Sequence, residues 1–571
     1  MSRVKNIPNP TFTIFSILFL LPICFSQPIA TTPPSTPTSP SKICKGTQNP
    51  SFCNTILQPN NASSNVYDYG RFSVRKSLRS AEKFLRLIEK NLRKSKTLTI
   101  TAVRALQDCK YLAQCNIDNL VTSFNIINRT SHTLPDMTSD DVQTYLSAIL
   151  TNTQTCIDGL QATASAWSIR GGILSPLAND TRLYSLSLAL FTKGWAPRGY
   201  KKRLGNFKTK HLKSKNGHFN FKMSEKNRRI FNRTMGNRRL LQSNQGDDQI
   251  AVNDIVVVAK DGSGNFSLIN DAVKAAPNNT NGLNGYFLIY IKAGVYTEIV
   301  SIPNNKRYLM MLGDGINQTI ITGNNSVGDG WTTFNSATFA VVSPNFFAVD
   351  ITFRNTAGAA KHQAVAVRNG ADLSIFYSCS FEAYQDTLYV HSLRQFYKNC
   401  DIYGTVDFIF GNAASVFQDC NLYPRLPMSG QFNAITAQGR TDPNQNTGCS
   451  FQNCTIKPAD DLARSNSTVR TYLGRPWKEY SRTVFMQSFM DRLVNPAGWS
   501  VWDGTFALNT SYYAEFNNTG PGSNTSGRVT WPGFRVINAS VASNFTVAAF
   551  LLGDDWMPQT GVPYRSGLNS T

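Results

Sequence analysis

The chain has 571 residues and a formal net charge of +22, so two or more domains are expected, and a nucleic-acid or membrane-surface role has to be weighed. The charge is unevenly spread: residues 1–246 carry 35 Lys/Arg against 11 Asp/Glu, whereas residues 247–571 carry 22 against 24. Most of the excess lies between Lys193 and Arg239, a run with one acid (Glu225) and no stacking aromatic pattern, which argues against nucleic acid and reads first as a solvated linker. Contact with an acidic polymer and processing by a basic-site protease are the other readings of that run.

The first segment, residues 1–26, reads as a secretory signal peptide. Arg3 and Lys5 precede the apolar run from Ile14 to Phe25, with a cut near Ser26. The run is short for a membrane span, and an uncleaved anchor is the alternative. Sequons such as Asn128, Asn265, Asn317 and Asn544 fit a secreted glycoprotein. Residues 27–41, rich in Pro, Ser and Thr, form a spacer.

Residues 42–195 are helical in pattern. One apolar stripe runs through Phe72, Val74, Leu78, Ala81, Leu85, Ile88 and Leu92, and a second through Ile100, Val103, Leu106, Cys109, Leu112, Leu120 and Phe124. Ser139-Asp140-Asp141 supplies an N-cap and acidic first turn for a third helix through Leu160, and a fourth follows Asp180. These make a four-helix bundle. Cys44 and Cys53 are spaced for a hairpin disulfide and Cys109 and Cys156 could tie neighbouring helices, with Cys115 left over; spacing alone permits other connectivities. Residues 196–245 form the basic linker, which ends at Arg238-Arg239-Leu240-Leu241, a cleavable dibasic site.

From residue 246 to 571 the pattern changes to short β runs such as Ile255–Val258 and Phe287–Ile291, separated by Gly, Asn and Asp turns. A repeat then appears: Ile375-Phe376, Cys379 and Phe381; Phe396-Tyr397, Cys400 and Ile402; Val416-Phe417, Cys420 and Leu422. The cysteines are 21 and 20 residues apart. Phe347–Phe353 keeps the shape without the cysteine. A period near 20 indicates a β-solenoid rather than a sandwich, with residues one repeat apart at roughly the ~4.8 Å strand spacing. Asp386 and Asp407 each follow a repeat cysteine by seven residues, so stacking places their carboxylates side by side.

There is no Gly-x-Ser-x-Gly elbow and no His-Glu-x-x-His, and the five histidines do not cluster. The remaining option is carboxylate chemistry without metal or cofactor. Repulsion raises the pKa of one aspartate, giving a protonated acid beside an ionised nucleophile. An aspartate ladder bonding neighbouring turns is the structural alternative. Gln363 and Gln385 offer amide donors for an oxyanion, and Arg475 could hold one carboxylate ionised.

Five blocks, Gly294–Glu298, His362–Ala366, Tyr384–Leu388, Asp407–Ala413 and Leu473–Trp477, together resemble plant pectin methylesterases, in that family's order and over most of 250–560. The helical segment is similar, more loosely, to the pectinesterase-inhibitor domain that precedes many of these enzymes; Cys115 and the long basic linker depart from the common pattern. The resemblance implies a right-handed parallel β-helix after an all-α bundle. It also implies hydrolysis of galacturonate methyl esters in cell-wall pectin, releasing methanol. Asp407 would be the nucleophile forming an acyl-enzyme, Asp386 the proton donor and then base, Gln363 and Gln385 the oxyanion donors, and Arg475 the residue orienting Asp407. Thr333, Gln363, Arg475 and Trp477 match substrate-binding positions. A disulfide between Cys400 and Cys420 is implied as well. Expected partners are pectin, a processing protease and proteinaceous pectinesterase inhibitors, with the protein a monomer in the cell wall and its bundle restraining activity or aiding folding before cleavage. The alternatives are another pectin-active β-helix enzyme (a polygalacturonase or lyase) and a non-catalytic wall-binding protein.

Overall fold

The computed structural model describes residues 36–58, 64–163, 167–197, 221–235, 250–465 and 468–569. The expected signal peptide, most of the basic linker and the dibasic site Arg238–Leu241 lie outside the described residues. No helix among the described residues is long and apolar enough to cross a membrane.

Two short helices, α1 (Pro40–Cys44) and α2 (Pro50–Leu57), lead into four long ones: α3 (Val66–Leu92), α4 (Ile100–Ile127), α5 (Asp136–Ala162) and α6 (Trp167–Gly194). Asn65 and Asp68 form a reciprocal capping box at the start of α3, and Thr99 caps α4. Disulfides join Cys44 to Cys53 and Cys109 to Cys156, while Cys115 is a free thiol. Two helix starts differ from expectation. α5 begins at Asp136 rather than after Ser139, so Asp140 and Asp141 are one turn inside it. α6 begins well before Asp180, because Ile173 and Leu177 extend its buried stripe toward Tyr184, Leu188 and Phe191; Asp180 is buried and accepts a hydrogen bond from Ser80.

The C-terminal part is a parallel β-helix. Its strands form sheets of 12, 8 and 7 members, and every pairing between named strands is parallel. The repeat sets the register: Ile375 pairs with Phe396 and Phe396 with Val416, while Ser380 pairs with Asp401 and Asp401 with Asn421. Residues at one position of the coil therefore pile into columns. Phe376, Tyr397, Phe417, Phe451 and Phe485 stack inside the core with centroids 4.5–5.3 Å apart and planes within 10° of parallel.

Two expectations are corrected here. Cys400 and Cys420 are free thiols. Each Sγ donates to carbonyls of its own and the preceding coil (Cys400 to Lys398 and Phe376, Cys420 to Gln418 and Tyr397). The two thiols sit in one column on adjacent coils and interact by a hydrogen bond rather than a covalent link. In addition, the stretch read as linker is not linker throughout. Phe221–Lys222 pairs with Ile250–Ala251, and the helix Glu225–Met235 buries Phe231 against the first coils.

Replacing Phe417 with alanine opens a gap in the aromatic column and is expected to cost about 3–5 kcal/mol. The measurement is the urea midpoint of the β-helix transition; an unchanged midpoint would show that the column does not hold the coils together.

Candidate active site

The second and third sheets are joined by turns in which an aspartate takes a left-handed conformation. Asp386 has φ 63° and Asp407 φ 53°, a region that Asp and Asn enter more readily than other side-chain-bearing residues. The strands that follow are in register, Leu388 opposite Ile409, so the two aspartates, each two residues earlier, occupy the same place on adjacent coils. Asp386 donates its backbone N–H to the Val406 carbonyl at 3.1 Å. Both carboxyl-bearing residues are buried, at 7% and 6% exposure, which removes the water that would otherwise screen them.

Arg475 separates the pair chemically. Its Nε and Nη2 donate to the two oxygens of Asp407 at 2.8 and 2.7 Å, a bidentate fork. Burial pushes the Asp386 carboxyl well above the usual carboxylate range, the charge of Asp407 adds to this, and Arg475 opposes it. Burial also raises Asp407, but there the bonds and charge of Arg475 pull directly against it. Of the two, Asp386 is the more readily protonated and Asp407 the more readily kept ionised. Gln385 adjoins Asp386, and its carbonyl accepts from the Ala364 N–H at 3.2 Å, which places Gln363 on the preceding coil. Both glutamines are half-buried. Trp477 meets Phe410 edge-on with centroids 5.9 Å apart, and Trp502 lies 4.4 Å from the Arg475 guanidinium. A side chain at Gly439 would put its Cβ 2.8 Å from the Trp477 ring. Thr333 is half-buried in the loop before Phe339–Val341, where its carbonyl accepts from Ser336 Oγ at 2.9 Å.

The bundle lies against this face. One apolar cluster runs from Phe84, Ile88 and Leu106 of the bundle to Phe334, Tyr389 and Phe410 of the third-sheet face, with Trp477 and Trp502 packed against it. Asp140 and Asp141 of α5 reach Arg394 at 2.9 and 2.6 Å, and Asp158 reaches Lys478 at 2.8 Å. Gln445 and Asn412 donate to the Ser147 carbonyl and Thr151 Oγ1. Asp140 and Asp141 therefore serve docking rather than capping.

Comparison with known proteins is decisive here. A family model described as "Pectinesterase" matches residues 255–554, and one described as "Plant invertase/pectin methylesterase inhibitor" matches residues 38–190. The chain is 60% identical over 547 residues to "Probable pectinesterase/pectinesterase inhibitor 41" of Arabidopsis thaliana, covering 93% of this chain and 95% of that one. It is 57% identical to "Probable pectinesterase/pectinesterase inhibitor 7" of the same plant, covering 98% and 100%. The chain belongs to the pectinesterase family. Among solved structures, the pectin methylesterase from carrot is 58% identical, with a TM-score of 0.54 over 55% of this chain and 98% of that one.

The sequence grouped Asp386, Asp407, Arg475 and the two glutamines, and the structure sets Gln363, Gln385 with Asp386, and Asp407 on three successive coils, with Arg475 reaching back to Asp407 from two coils further on. It gave no warning of Arg394 with Asp372, or of Arg368 facing the bundle's Asp108. One cue was available: Arg368 is a lone charge directly after the apolar run from Ala364 to Val367.

Arg475→Lys keeps a positive charge but cannot span both oxygens of Asp407. Misplacing the carboxylate in this way is expected to slow ester hydrolysis about a hundredfold, measured as kcat by methanol release. Wild-type kcat would show that the fork does not position Asp407.

Proposed function

We propose that this pectinesterase hydrolyses galacturonate methyl esters of pectin through a covalent intermediate on Asp407, and that the bundle keeps the site covered until it is released. The observation that carries the reading is the buried Asp386–Asp407 pair with the guanidinium of Arg475 on Asp407 alone. The ionised Asp407 attacks the ester carbonyl, and the oxyanion takes hydrogen bonds from the amides of Gln363 and Gln385. As the tetrahedral centre collapses, the C–OCH3 bond breaks and Asp386 gives its proton to the departing methoxide, leaving an anhydride between Asp407 and the sugar carboxyl. Asp386, now a carboxylate, takes a proton from water as that water attacks the anhydride, which restores both aspartates and yields a carboxylic acid that ionises by losing its proton to solvent. Thr333 and the exposed part of Trp477 would line the path of the polymer.

Secretion to the cell wall fits the N-terminal apolar segment and the disulfides of the bundle. Cleavage by a protease at Arg238–Leu241 would separate the bundle from the β-helix. The protein acts as a monomer on pectin, and separate inhibitor proteins of the bundle's family are expected partners for the uncovered face.

Asp407→Ala is expected to lower methanol release by about 10³-fold or more. Unchanged release would remove Asp407 from the mechanism. A chain of residues 242–571 should de-esterify pectin faster than the full chain; equal rates would sink the restraint.

Docking is also linked to pH. Burial at the interface pushes Asp108 up to about 7 from an ordinary 3.8, against the Thr332 hydrogen bond and the charge of Arg368. Burial likewise raises Asp140 and Asp141, against Arg394. These acids take up protons on docking, whereas His391, which contacts Thr155 of the bundle and is pushed down to about 3 by burial and the charge of Arg368, gives one up. For Asp108, docking is strongest below its ordinary value, weakens as pH rises toward about 7, and is level above that. In a His391→Gln chain, where that opposing titration is absent, hydrogen exchange across Leu388–Val390, corrected for intrinsic pH dependence, should report tighter protection at about pH 5 than at about pH 7.5. The opposite trend would mean that Arg394 and Arg368 overrule burial.

A further inference from the structure

Two buried arginines of the β-helix meet carboxylates of the bundle, and they differ in what remains when the bundle leaves. Arg394 is held from its own side by Asp372, with Nε to Oδ1 at 3.0 Å and Nη2 to Oδ2 at 2.6 Å, so it keeps a counter-ion. Arg368 has no salt bridge to a β-helix carboxylate among the described residues. Its Nε donates to the Phe334 carbonyl at 2.8 Å and its guanidinium lies 3.6 Å from the centre of the Phe334 ring. Its Nη1 is buried with no acceptor among the described residues. The carboxylate whose charge it feels is Asp108 of α4. Asp108 accepts from Thr332 Oγ1 at 2.5 Å and from Asn335 Nδ2.

Two neutral donors and a guanidinium with an open N–H make a built anion site, and a side chain of the bundle fills it. The site also lies on the path of a bound polymer. Arg368 is in register with Tyr389, and Tyr389 with Phe410, three residues beyond Asp386 and Asp407 respectively. One coil, roughly 4.8 Å, separates the Arg368 strand from that following Asp386, and Gln363 is five residues earlier on the Arg368 coil. A sugar next to the one under attack can therefore present its carboxyl group here.

We propose that Thr332, Asn335 and Arg368 form a subsite for the free carboxylate of a galacturonate unit flanking the ester being cleaved, and that the bundle closes the cleft by placing Asp108 in it. This rests on the pectinesterase reading of the same cleft. A flanking methyl ester carries no charge for the guanidinium and leaves its N–H groups poorly paired. The subsite therefore favours substrate already de-esterified at the neighbouring unit. A sugar in the uncovered cleft keeps water on one side, so it escapes much of the burial that Asp108 meets under the bundle.

The test uses the full chain and two hexagalacturonates, one fully methyl-esterified and one half de-esterified. The ratio of their kcat/KM values is independent of how often the bundle opens, since opening scales both rates alike. In the wild type the ratio should favour the half de-esterified hexamer. Asn335→Ala and Arg368→Gln should each lower it about tenfold; Asn335→Ala guards against a folding defect at the buried arginine. Asp108→Ala should raise both rates and leave the ratio unchanged. A ratio that stays put in both subsite variants, or an Asp108→Ala chain no faster than wild type, overturns the proposal. If no variant releases methanol from either hexamer, the esterase reading fails separately. Calorimetric titration with fully de-esterified hexagalacturonate then decides the subsite. Asp108→Ala must bind it more tightly than the Asp108→Ala/Asn335→Ala double variant, and equal binding overturns the subsite.

Discussion

From Phe287 to Met486, coils of the β-helix are hydrogen-bonded in register along the first sheet, and the rest of the structure follows from that constraint. Parallel in-register pairing makes like positions neighbours, so whatever a repeat carries at one position becomes a column. Where the position holds an aromatic ring, the column is the stacked core from Phe376 to Phe485. Where it holds a thiol, Cys400 and Cys420 stack as hydrogen-bonded neighbours. Where it holds an aspartate in a left-handed turn, two carboxyls are forced together out of water, at an energetic cost that protonation of one and an arginine on the other relieve. Core stability and a reactive carboxyl pair come from one geometric rule.

The bundle exploits the same regularity from outside. The outward positions of the third sheet form a gently stepped surface, Ala340, Arg368, Tyr389, Phe410 and Ala437, and helices lie along it through an apolar cluster. The polar contacts are spread around that cluster, from Arg104 donating to the Gly330 carbonyl at one side to Ser185 donating to Asp442 at another. Apolar burial supplies the affinity, while buried ion pairs such as Arg394 with Asp140 mainly fix the orientation, since their attraction is largely offset by desolvation. A surface that binds a sugar polymer by ring faces and hydrogen bonds is suited to this, because its aromatic residues are amphipathic by design.

Much of this was legible in the sequence, for a physical reason. Periodicity is local information, and the 20-residue repeat, the helical stripes and the placement of Asp386 beside Asp407 are all periodic. The misreadings came where one pattern serves two purposes. Ser139-Asp140-Asp141 has the composition of a helix N-cap, yet two of its acids face an arginine more than 250 residues away in sequence. Asp180 resembles a cap but is a buried acceptor inside α6. Phe221 and Phe231 were overlooked because the surrounding lysines and arginines masked two apolar anchors. Pairings between domains, such as Arg394 with Asp140, have no period to reveal them.

The proposed division of labour between the two aspartates also follows from coil order. Along the third sheet the strands run from Val367 to Leu388, Ile409, Thr436 and then Gly474, each paired with the next. Arg475 thus approaches from beyond the Asp407 coil, while Asp386 lies on its opposite side. The guanidinium can grip Asp407 in a fork, but reaches Asp386 only as a more distant charge. Exchanging the roles would take a cation aimed at Asp386 from the other end of the stack. The arginine on that side, Arg368, is instead turned toward the Phe334 ring and Asp108. In the proposed mechanism, nucleophile and acid are therefore distinguished by which end of the stack supplies the guanidinium, since the aspartates themselves have the same turn conformation and the same burial.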